Sequence, residues 1–188
     1  MLILASKSPR RKELIARLGI PFEICPAEVD ESVICNRSPK ETVLALSALK
    51  AEALLKDHPQ DLILGSDTVV AIDEKILGKP RSREDAKEML SLLSGRSHQV
   101  FSGFTILLGS KKISRAVMTT VHFAPLSQSE IEKYLDSGEP FDKAGSYGIQ
   151  GLGGLFVTHI EGDYNAVVGL PLQAVYTALK EEFGVDFK

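Results

Sequence analysis

The stretch "DLILGSDTVVAIDEKILGKP", residues 61–80, joins a long apolar run to a turn and a short return segment. The apolar run predicts a strand, and "KILGKP", residues 75–80, predicts its hairpin partner. Outward from this hairpin, short apolar runs alternate with segments of helical periodicity in both directions. Interleaved helices and strands that include hairpins predict a mixed-sheet α/β domain rather than a purely parallel one.

Serine, proline and glycine residues mark the predicted ends of the helices. Five helices are predicted: Pro9–Leu18, from Ser38 to about Lys56, from Ser82 to Gly95, Ser127–Leu135, and from Pro171 to about Phe183. Further strands are predicted at Met1–Ala5, at the start of "PFEICPAEVDES" (21–32), in the two runs around "GSKK" (109–112), and as a hairpin in "LFVTHIEGDYNAVVG" (155–169). No linker-like segment interrupts the chain, so a single domain is expected over residues 1–188.

Composition narrows the class of protein. The 188 residues are 44% hydrophobic and 25% charged, with a net charge of −3, so no global basic field attracts nucleic acid. The two cysteines form no CxxC motif and are expected to be free thiols. "MLILASKSPRR", residues 1–11, lacks the pattern of a signal peptide, and no run is long enough to span a membrane. We therefore expect a cytoplasmic protein that binds neither membrane nor nucleic acid.

The first predicted helix carries three successive cations at its start, where exposed backbone N–H groups already favour anions. On a helical wheel Arg11 shares the apolar face of Leu14 and Leu18, Arg10 lies at the edge of that face, and Lys12 points away. An inward arginine needs an anion, and its forked donors match phosphate oxygens. Two interpretations remain open: a phosphate site, or arginines that pair with surface carboxylates.

The strand of the opening stretch places Asp67 among apolar residues, an unusual position for a carboxylate. Such an acid holds a metal, pairs with a cation or acts as a base. With a turn at residues 73–75, Lys79 would lie opposite Val69 and diagonal to Asp67, which leaves a structural Asp–Lys ion pair open. Lys50 falls on the apolar side of its helix, either at the site or as a lysine that extends from the edge of the core.

The segment "DKAGSYGIQGLGGLF", residues 142–156, contains five glycines but has neither P-loop nor dinucleotide-fingerprint spacing. Gln150 within it offers donors and an acceptor that match the N3–H and O4 edge of a uracil-type base. The alternative is a conformationally demanding turn. The four histidines lack paired ligand spacing and are interpreted as non-catalytic.

Six motifs in order resemble the Maf family of nucleoside triphosphate pyrophosphatases: "LASKSPRRKEL" (4–14), "GSDTVV" (65–70), "LGKP" (77–80), "LSGRSHQVFSG" (93–103), "DKAGSYGIQG" (142–151) and "IEGDYNAVVGLP" (160–171). The form of the fifth motif is similar to the subgroup that acts on dTTP and UTP, not the one that prefers 7-methyl-GTP. The resemblance implies an α/β fold of the Maf/ITPase-like type, with an elongated mixed sheet flanked by helices and two lobes around a deep cleft. It also implies cleavage between the α- and β-phosphates, Mg²⁺ with Mn²⁺ or Co²⁺ as alternatives, and a homodimer.

The same resemblance assigns roles by matched motif. Asp67 corresponds to the proposed proton acceptor of the family, positions linked to substrate choice are matched by Arg10, Thr68 and Gln150, and other polar positions of the pocket by Ser6, Arg11, Glu31, Lys50 and Lys79. We therefore predict catalytic roles for Asp67, Lys79 and Glu31, and substrate binding by Ser6, Arg10, Arg11, Lys50, Thr68 and Gln150. Glu31 and Asp67 are the implied metal ligands, with the role of Asp67 open between ligand and base. Two rival functions remain: a nucleotide-binding regulator of cell division without turnover, and a nucleic-acid binder, which the net charge of −3 disfavours.

Overall fold

A computed structural model describes residues 1–186; the last two residues of the expected domain lie outside the described part. In this described part, one mixed sheet contains seven strands: β1 Leu2–Ala5, β2 Phe22–Ile24, β3 Leu62–Ile72, β4 Lys75–Leu77, β5 Ser97–Leu108, β6 Lys111–Phe123 and β7 Val157–Glu161. β1 runs parallel to both β2 and β3, while the ladders from β3 through β5 and β6 to β7 are antiparallel. The predicted mixed α/β class is therefore confirmed.

Within residues 1–186, six helices surround the sheet: α1 Pro9–Ala16, α2 Pro39–Glu52, α3 Arg83–Leu93, α4 Gln128–Asp136, α5 Tyr164–Val168 and α6 Leu172–Phe183. Four of them begin at a serine whose hydroxyl accepts a backbone N–H of the first turn, as the sequence predicts. No helix in the described part of the chain combines the length and hydropathy of a bilayer span.

Two sequence predictions about hairpins are wrong. Residues 155–169 form only one strand, β7, because the Asp163 side chain accepts the N–H of Asn165 and starts α5 instead of a return strand. The β3–β4 turn has only two central residues, Asp73 and Glu74, and Ala71 pairs with Ile76. Lys79 therefore lies beyond the β4 ladder rather than opposite Val69, and it makes no ion pair with Asp67 in the structure of residues 1–186.

The long strands β3, β5 and β6 extend through two lobes, each with its own hydrophobic packing. In one lobe, α1 and α6 pack on one sheet face around Phe104, and α2 packs on the other face around Ile63. In the other lobe, α3 and α4 pack around Leu90 and Phe123. A Cβ at Gly65 would lie 2.1 Å from the Ser47 carbonyl oxygen, so this glycine is what lets α2 lie directly on β3.

Candidate active site

A cleft of about 1270 Å³ lies between the two lobes. One side, here called the sheet wall, carries Ser6, Arg11, Lys50, Asp67 and Thr68 on or beside β1, β3, α1 and α2. The facing side, here called the loop wall, consists of residues 139–156, which are mostly 3₁₀ turns. All nine residues singled out from the sequence line the cleft: Ser6, Arg10, Arg11, Glu31, Lys50, Asp67, Thr68, Lys79 and Gln150.

Arg11 points inward from α1, as its wheel position predicts, and each branch of its guanidinium has a fixed partner. Its Nε donates to the Gly169 carbonyl oxygen at 2.8 Å, Nη1 to Ser6 Oγ at 3.3 Å and Nη2 to Thr68 Oγ1 at 3.4 Å. Burial lowers the pKa of Arg11, although the nearby charge of Asp67 acts in the opposite direction. Arg11 makes no ion pair with any carboxylate among residues 1–186, so the surface-pair interpretation fails for this residue.

Arg10 lies at the edge of the cleft, where its Nη1 is 3.6 Å from Asp142 Oδ2 on the loop wall. The side chains of Arg10 and Asp142 are 31% and 66% exposed, so water screens this ion pair. Lys12 is exposed, which agrees with its predicted outward position. Arg10, unlike Arg11, therefore fits the alternative interpretation of an arginine that pairs with a surface carboxylate. Its ion pair with Asp142 joins the two walls.

The buried acid of β3 is held by the lysine of α2. Lys50 Nζ lies 2.6 Å from Asp67 Oδ1 and 2.8 Å from Glu31 Oε1, so one ammonium joins both carboxylates. The Lys50 and Asp67 side chains are only 12% and 11% exposed, whereas Glu31, in a short 3₁₀ turn, is 55% exposed. Lys50 therefore does not extend to solvent from the core edge, and it replaces Lys79 as the partner of Asp67.

Lys79 and Gln150 differ from the other candidates because both are exposed and have no hydrogen-bond or ion-pair partner among the described residues. Lys79 follows β4 at one margin of the cleft, and Gln150 belongs to the loop wall. Their polar ends are thus available to a ligand. The Thr68 hydroxyl, in contrast, lies 2.6 Å from Ser102 Oγ and donates to the Gly169 carbonyl oxygen. It therefore helps to hold the Arg11 guanidinium in place.

Sequence reasoning missed four residues that shape the cleft: Tyr134, Glu139, Asp142 and Gly169. The Gly169 carbonyl oxygen accepts from Arg11, and its motif "VVGLP" gave no sign of that contact. Glu139 accepts backbone N–H groups of the loop wall, and such donors leave no trace in a sequence. The non-catalytic interpretation of His98 agrees with its place in the core, where Nε2 lies 2.8 Å from Tyr147 Oη.

Comparisons with known proteins add independent findings. A family model described as "Maf-like protein" matches residues 1–182. A curated dTTP/UTP pyrophosphatase of Bacillus anthracis is 47% identical over 185 residues, which are 98% of this chain and 96% of the relative. A protein of the same name from Bacillus cytotoxicus is 47% identical over 179 residues, 95% of this chain and 94% of the relative.

Among solved structures, a HAM1 protein from Coxiella burnetii superimposes with a TM-score of 0.54. The match covers 96% of this chain and 98% of that chain, at 14% sequence identity. At so low an identity the likeness shows a shared fold alone, and it agrees with the elongated sheet and two lobes described above.

Proposed function

The chain belongs to the Maf-like protein family, and on that premise we propose the function of its cleft. The protein is a nucleotide pyrophosphatase, a hydrolase that cleaves the α–β phosphoanhydride bond of dTTP and UTP. The products are the nucleoside monophosphate and pyrophosphate, so the reaction removes triphosphates from the nucleotide pool. The names of the curated relatives describe turnover, so a regulator that binds nucleotide without turnover is not favoured.

The observation that carries this conclusion is the buried Asp67 beside the cations of the sheet wall. A site that only binds a triphosphate needs cations, whereas a carboxylate among them repels the ligand. A buried carboxylate at this position is explained by a role in proton transfer, because a positioned base near the reacting phosphate accelerates attack by water.

For phosphate binding, we assign the triphosphate to the start of α1. Backbone N–H groups there, with the guanidinium groups of Arg10 and Arg11 and the hydroxyl of Ser6, provide donors for phosphate oxygens. Lys79, exposed and without a partner among the described residues, supplies a further cation on the margin of the cleft. These fixed charges stabilise the negative charge that develops on the leaving pyrophosphate.

For the chemical step, Asp67 takes the proton of the attacking water. The water oxygen forms a bond to the α-phosphorus, the α–β bridging bond breaks, and its electron pair leaves with pyrophosphate. Lys50 holds the Asp67 carboxylate in place at 2.6 Å, and Glu31 shares the same ammonium. Thr68, bound to Arg11, is assigned to substrate selection through the position of that guanidinium.

A divalent cation fits this donor set only together with substrate. In the structure of residues 1–186 no three histidine, cysteine or acidic side chains are grouped closely enough to form a complete metal site. Two carboxylates, Glu31 and Asp67, nevertheless converge on the Lys50 ammonium, and Mg²⁺ is commonly held by one or two carboxylates plus substrate phosphates. We propose that Glu31 and Asp67 would hold Mg²⁺, or Mn²⁺ or Co²⁺, with Asp67 acting through a bound water so that its carboxylate remains available as the base; the cation would neutralise phosphate charge.

We also propose that the protein acts in the cytoplasm as a homodimer, without membrane or nucleic-acid partners. Free Cys25 and Cys35 are compatible with a reducing compartment. Leu155 and Leu152, both on the loop wall, are 79% and 51% exposed, which supports a contact with a second copy.

The reaction is tested by incubating the protein with dTTP or UTP and Mg²⁺ and resolving the products. We expect the nucleoside monophosphate and pyrophosphate in equal amounts. Release of orthophosphate would overturn the assignment of the cleaved bond. If the protein binds nucleotide tightly but shows no turnover with Mg²⁺, Mn²⁺ or Co²⁺, the result would instead favour a nucleotide-binding regulator.

A further inference from the structure

The loop wall has little regular structure, yet its polypeptide follows a defined path. It consists of three 3₁₀ turns, at Glu139–Asp142, Ala144–Ser146 and Leu152–Phe156, with Gln150 between the second and third. None of the three turns has a side-chain cap. A backbone hydrogen bond from the Gly151 N–H to the Gly148 carbonyl oxygen, 3.3 Å long, closes the turn that contains Gln150, and side-chain contacts supply the remaining support.

One pair of side chains supplies those contacts on both sides of Gln150. Tyr134 Oη, from α4, accepts the N–H of Gly148 at 3.1 Å and donates to Glu139 Oε1 at 2.8 Å. Glu139 then accepts the N–H of Leu152 at Oε2, 2.9 Å away, and the N–H of Gly153 at Oε1, 3.1 Å away. The Tyr134–Glu139 pair thus closes residues 148–153 into a loop with Gln150 at its exposed tip.

The glycine content of the loop follows from the same contact. A Cβ at Gly151 would lie 2.3 Å from Glu139 Oε2, so any side chain at this position would force the carboxylate to move from its backbone donors. The backbone next to Gln150 therefore lies directly against the carboxylate. Burial raises the pKa of Glu139, but the hydrogen bonds that Gly153, Leu152 and Tyr134 donate, together with the charge of Lys143, keep that pKa below its ordinary value, so the acceptor stays ionised.

A glutamine alone does not select one pyrimidine. Its amide presents a donor and an acceptor, and a flip about its last torsion exchanges them, so it can match either a uracil-type or a cytosine-type edge. Selection therefore requires a backbone that limits the positions from which the amide reaches the base. The hydrogen bonds to Gly148, Leu152 and Gly153 impose such a limit.

We propose that Glu139 and Tyr134 are positioning residues for base selection, because they hold the backbone on both sides of Gln150 and so fix how its amide meets the pyrimidine. This inference rests on the proposed function together with the sequence-based assignment of Gln150 to the base of dTTP or UTP. Neither residue touches the phosphates of the substrate or the reacting atoms in this arrangement.

A merely structural role would lower activity towards every nucleotide in the same proportion. A positioning role changes the ratio of kcat/KM for dTTP to that for dCTP, and it acts through Gln150. The test is therefore Tyr134→Phe in the wild-type and in the Gln150→Ala background, with kcat/KM measured for both nucleotides. Inhibition by tripolyphosphate reports separately on the sheet wall.

The Tyr134→Phe variant is expected to lower the dTTP/dCTP ratio by about three- to tenfold, the effect of about one hydrogen bond. Its inhibition by tripolyphosphate should equal that of the wild type. In the Gln150→Ala background, where the ratio is already reduced, Tyr134→Phe should change it no further, because residues that act as one unit are not additive. Glu139→Gln should produce a larger fall, since either orientation of the amide turns a donor towards a backbone N–H.

The matched control is Glu132→Gln, which removes an acid of α4 that pairs with Arg83 and Lys87 away from the cleft. It should leave the ratio unchanged. The inference is overturned if Tyr134→Phe and Glu139→Gln lower activity towards both nucleotides equally, or if Tyr134→Phe has the same effect with and without Gln150. A wild-type protein that releases no pyrophosphate from dTTP would instead contradict the proposed function itself.

Discussion

On the sheet wall, Arg11, Lys50 and Asp67 stand on helices and a central strand, and their charged ends are mostly buried and already bonded to one another or to fixed oxygens. On the loop wall, Gln150 is exposed, has no partner among the described residues and stands on backbone that one Tyr–Glu pair holds. The groups assigned to chemistry are thus preorganised by regular structure, while the group assigned to recognition is carried by a loop. Cleavage of the phosphoanhydride bond is common to every triphosphate and needs charges in fixed positions. Selection of the base needs only a loop whose backbone holds Gln150 in a defined position.

The largest expected effect is the loss of turnover when Asp67, on the sheet wall, is replaced by asparagine. The substitution keeps the volume of the side chain but removes the base, so kcat for dTTP should fall by about 10²- to 10⁴-fold. Binding of a non-hydrolysable dTTP analogue, measured by calorimetry, should persist because Arg11 and the start of α1 are unchanged.

The matched control for this change is Asp73→Asn, which removes an exposed carboxylate of the β3–β4 turn that pairs with Arg96. It should leave kcat at the wild-type level. Near-normal turnover by the Asp67→Asn variant would exclude Asp67 as the base and leave it only a role in binding Lys50 or a metal.

A second prediction concerns the buried contact that joins the loop wall to β5. His98 Nε2 lies 2.8 Å from Tyr147 Oη, and His98 Nδ1 has no hydrogen-bond partner among the described residues. Burial, with a smaller contribution from His122, lowers the pKa of His98 from 6.5 to about 4. Between these two pH values the unfolded chain binds more protons than the folded protein does. The free energy of unfolding therefore decreases as the pH falls through this window, by as much as about 3 kcal/mol.

The measurement is urea unfolding at pH 7.5 and at pH 4.5 for the wild type and for His98→Gln. Between pH 7.5 and pH 4.5, the free energy of unfolding of the wild type should fall by about 2–3 kcal/mol more than that of His98→Gln, because glutamine does not titrate. His159→Gln, at an exposed histidine of β7, should behave as the wild type does. Equal losses of unfolding free energy in the wild type and in His98→Gln would show that the contact between His98 and the loop wall does not respond to pH.

The two walls also differ in how far sequence reasoning reached. The inward position of Arg11 followed from helical periodicity, and the unusual carboxylate at Asp67 followed from strand alternation. The partner of Asp67 did not follow, because the contact with Lys50 depends on how α2 lies on β3, which the pattern of α2 alone does not define. The resemblance to a family supplied Lys50 as a pocket residue, but only the structure joins it to Asp67.

On the loop wall, sequence reasoning identified Gln150 and the concentration of glycines but not the reason for either. The decisive contacts are hydrogen bonds from backbone N–H groups to Glu139, and every residue except proline has such a donor. The failed hairpin after this wall has a similar cause. Residues 155–169 alternate in a strand-like way, but one side-chain cap at Asp163 redirects the chain into α5.

The smallest expected effect concerns the ion pair that joins the walls, Arg10 to Asp142, 3.6 Å apart and partly exposed. If Arg10 binds the triphosphate, Asp142 competes with a phosphate for the guanidinium. Asp142→Asn should then lower KM for dTTP by about two- to threefold and leave kcat unchanged, since exposed ion pairs contribute about 0.2–1 kcal/mol.

Steady-state kinetics at low and at high NaCl concentration checks this prediction, because salt should reduce the difference between the variant and the wild type. The control is Asp136→Asn, which removes the same charge from an exposed acid that pairs with Arg83 outside the cleft. An equal fall in KM for both variants would attribute the effect to net charge rather than to Arg10. A rise in KM for Asp142→Asn would instead mean that the ion pair holds Arg10 in its binding position, and the loop wall would then help to organise the sheet wall.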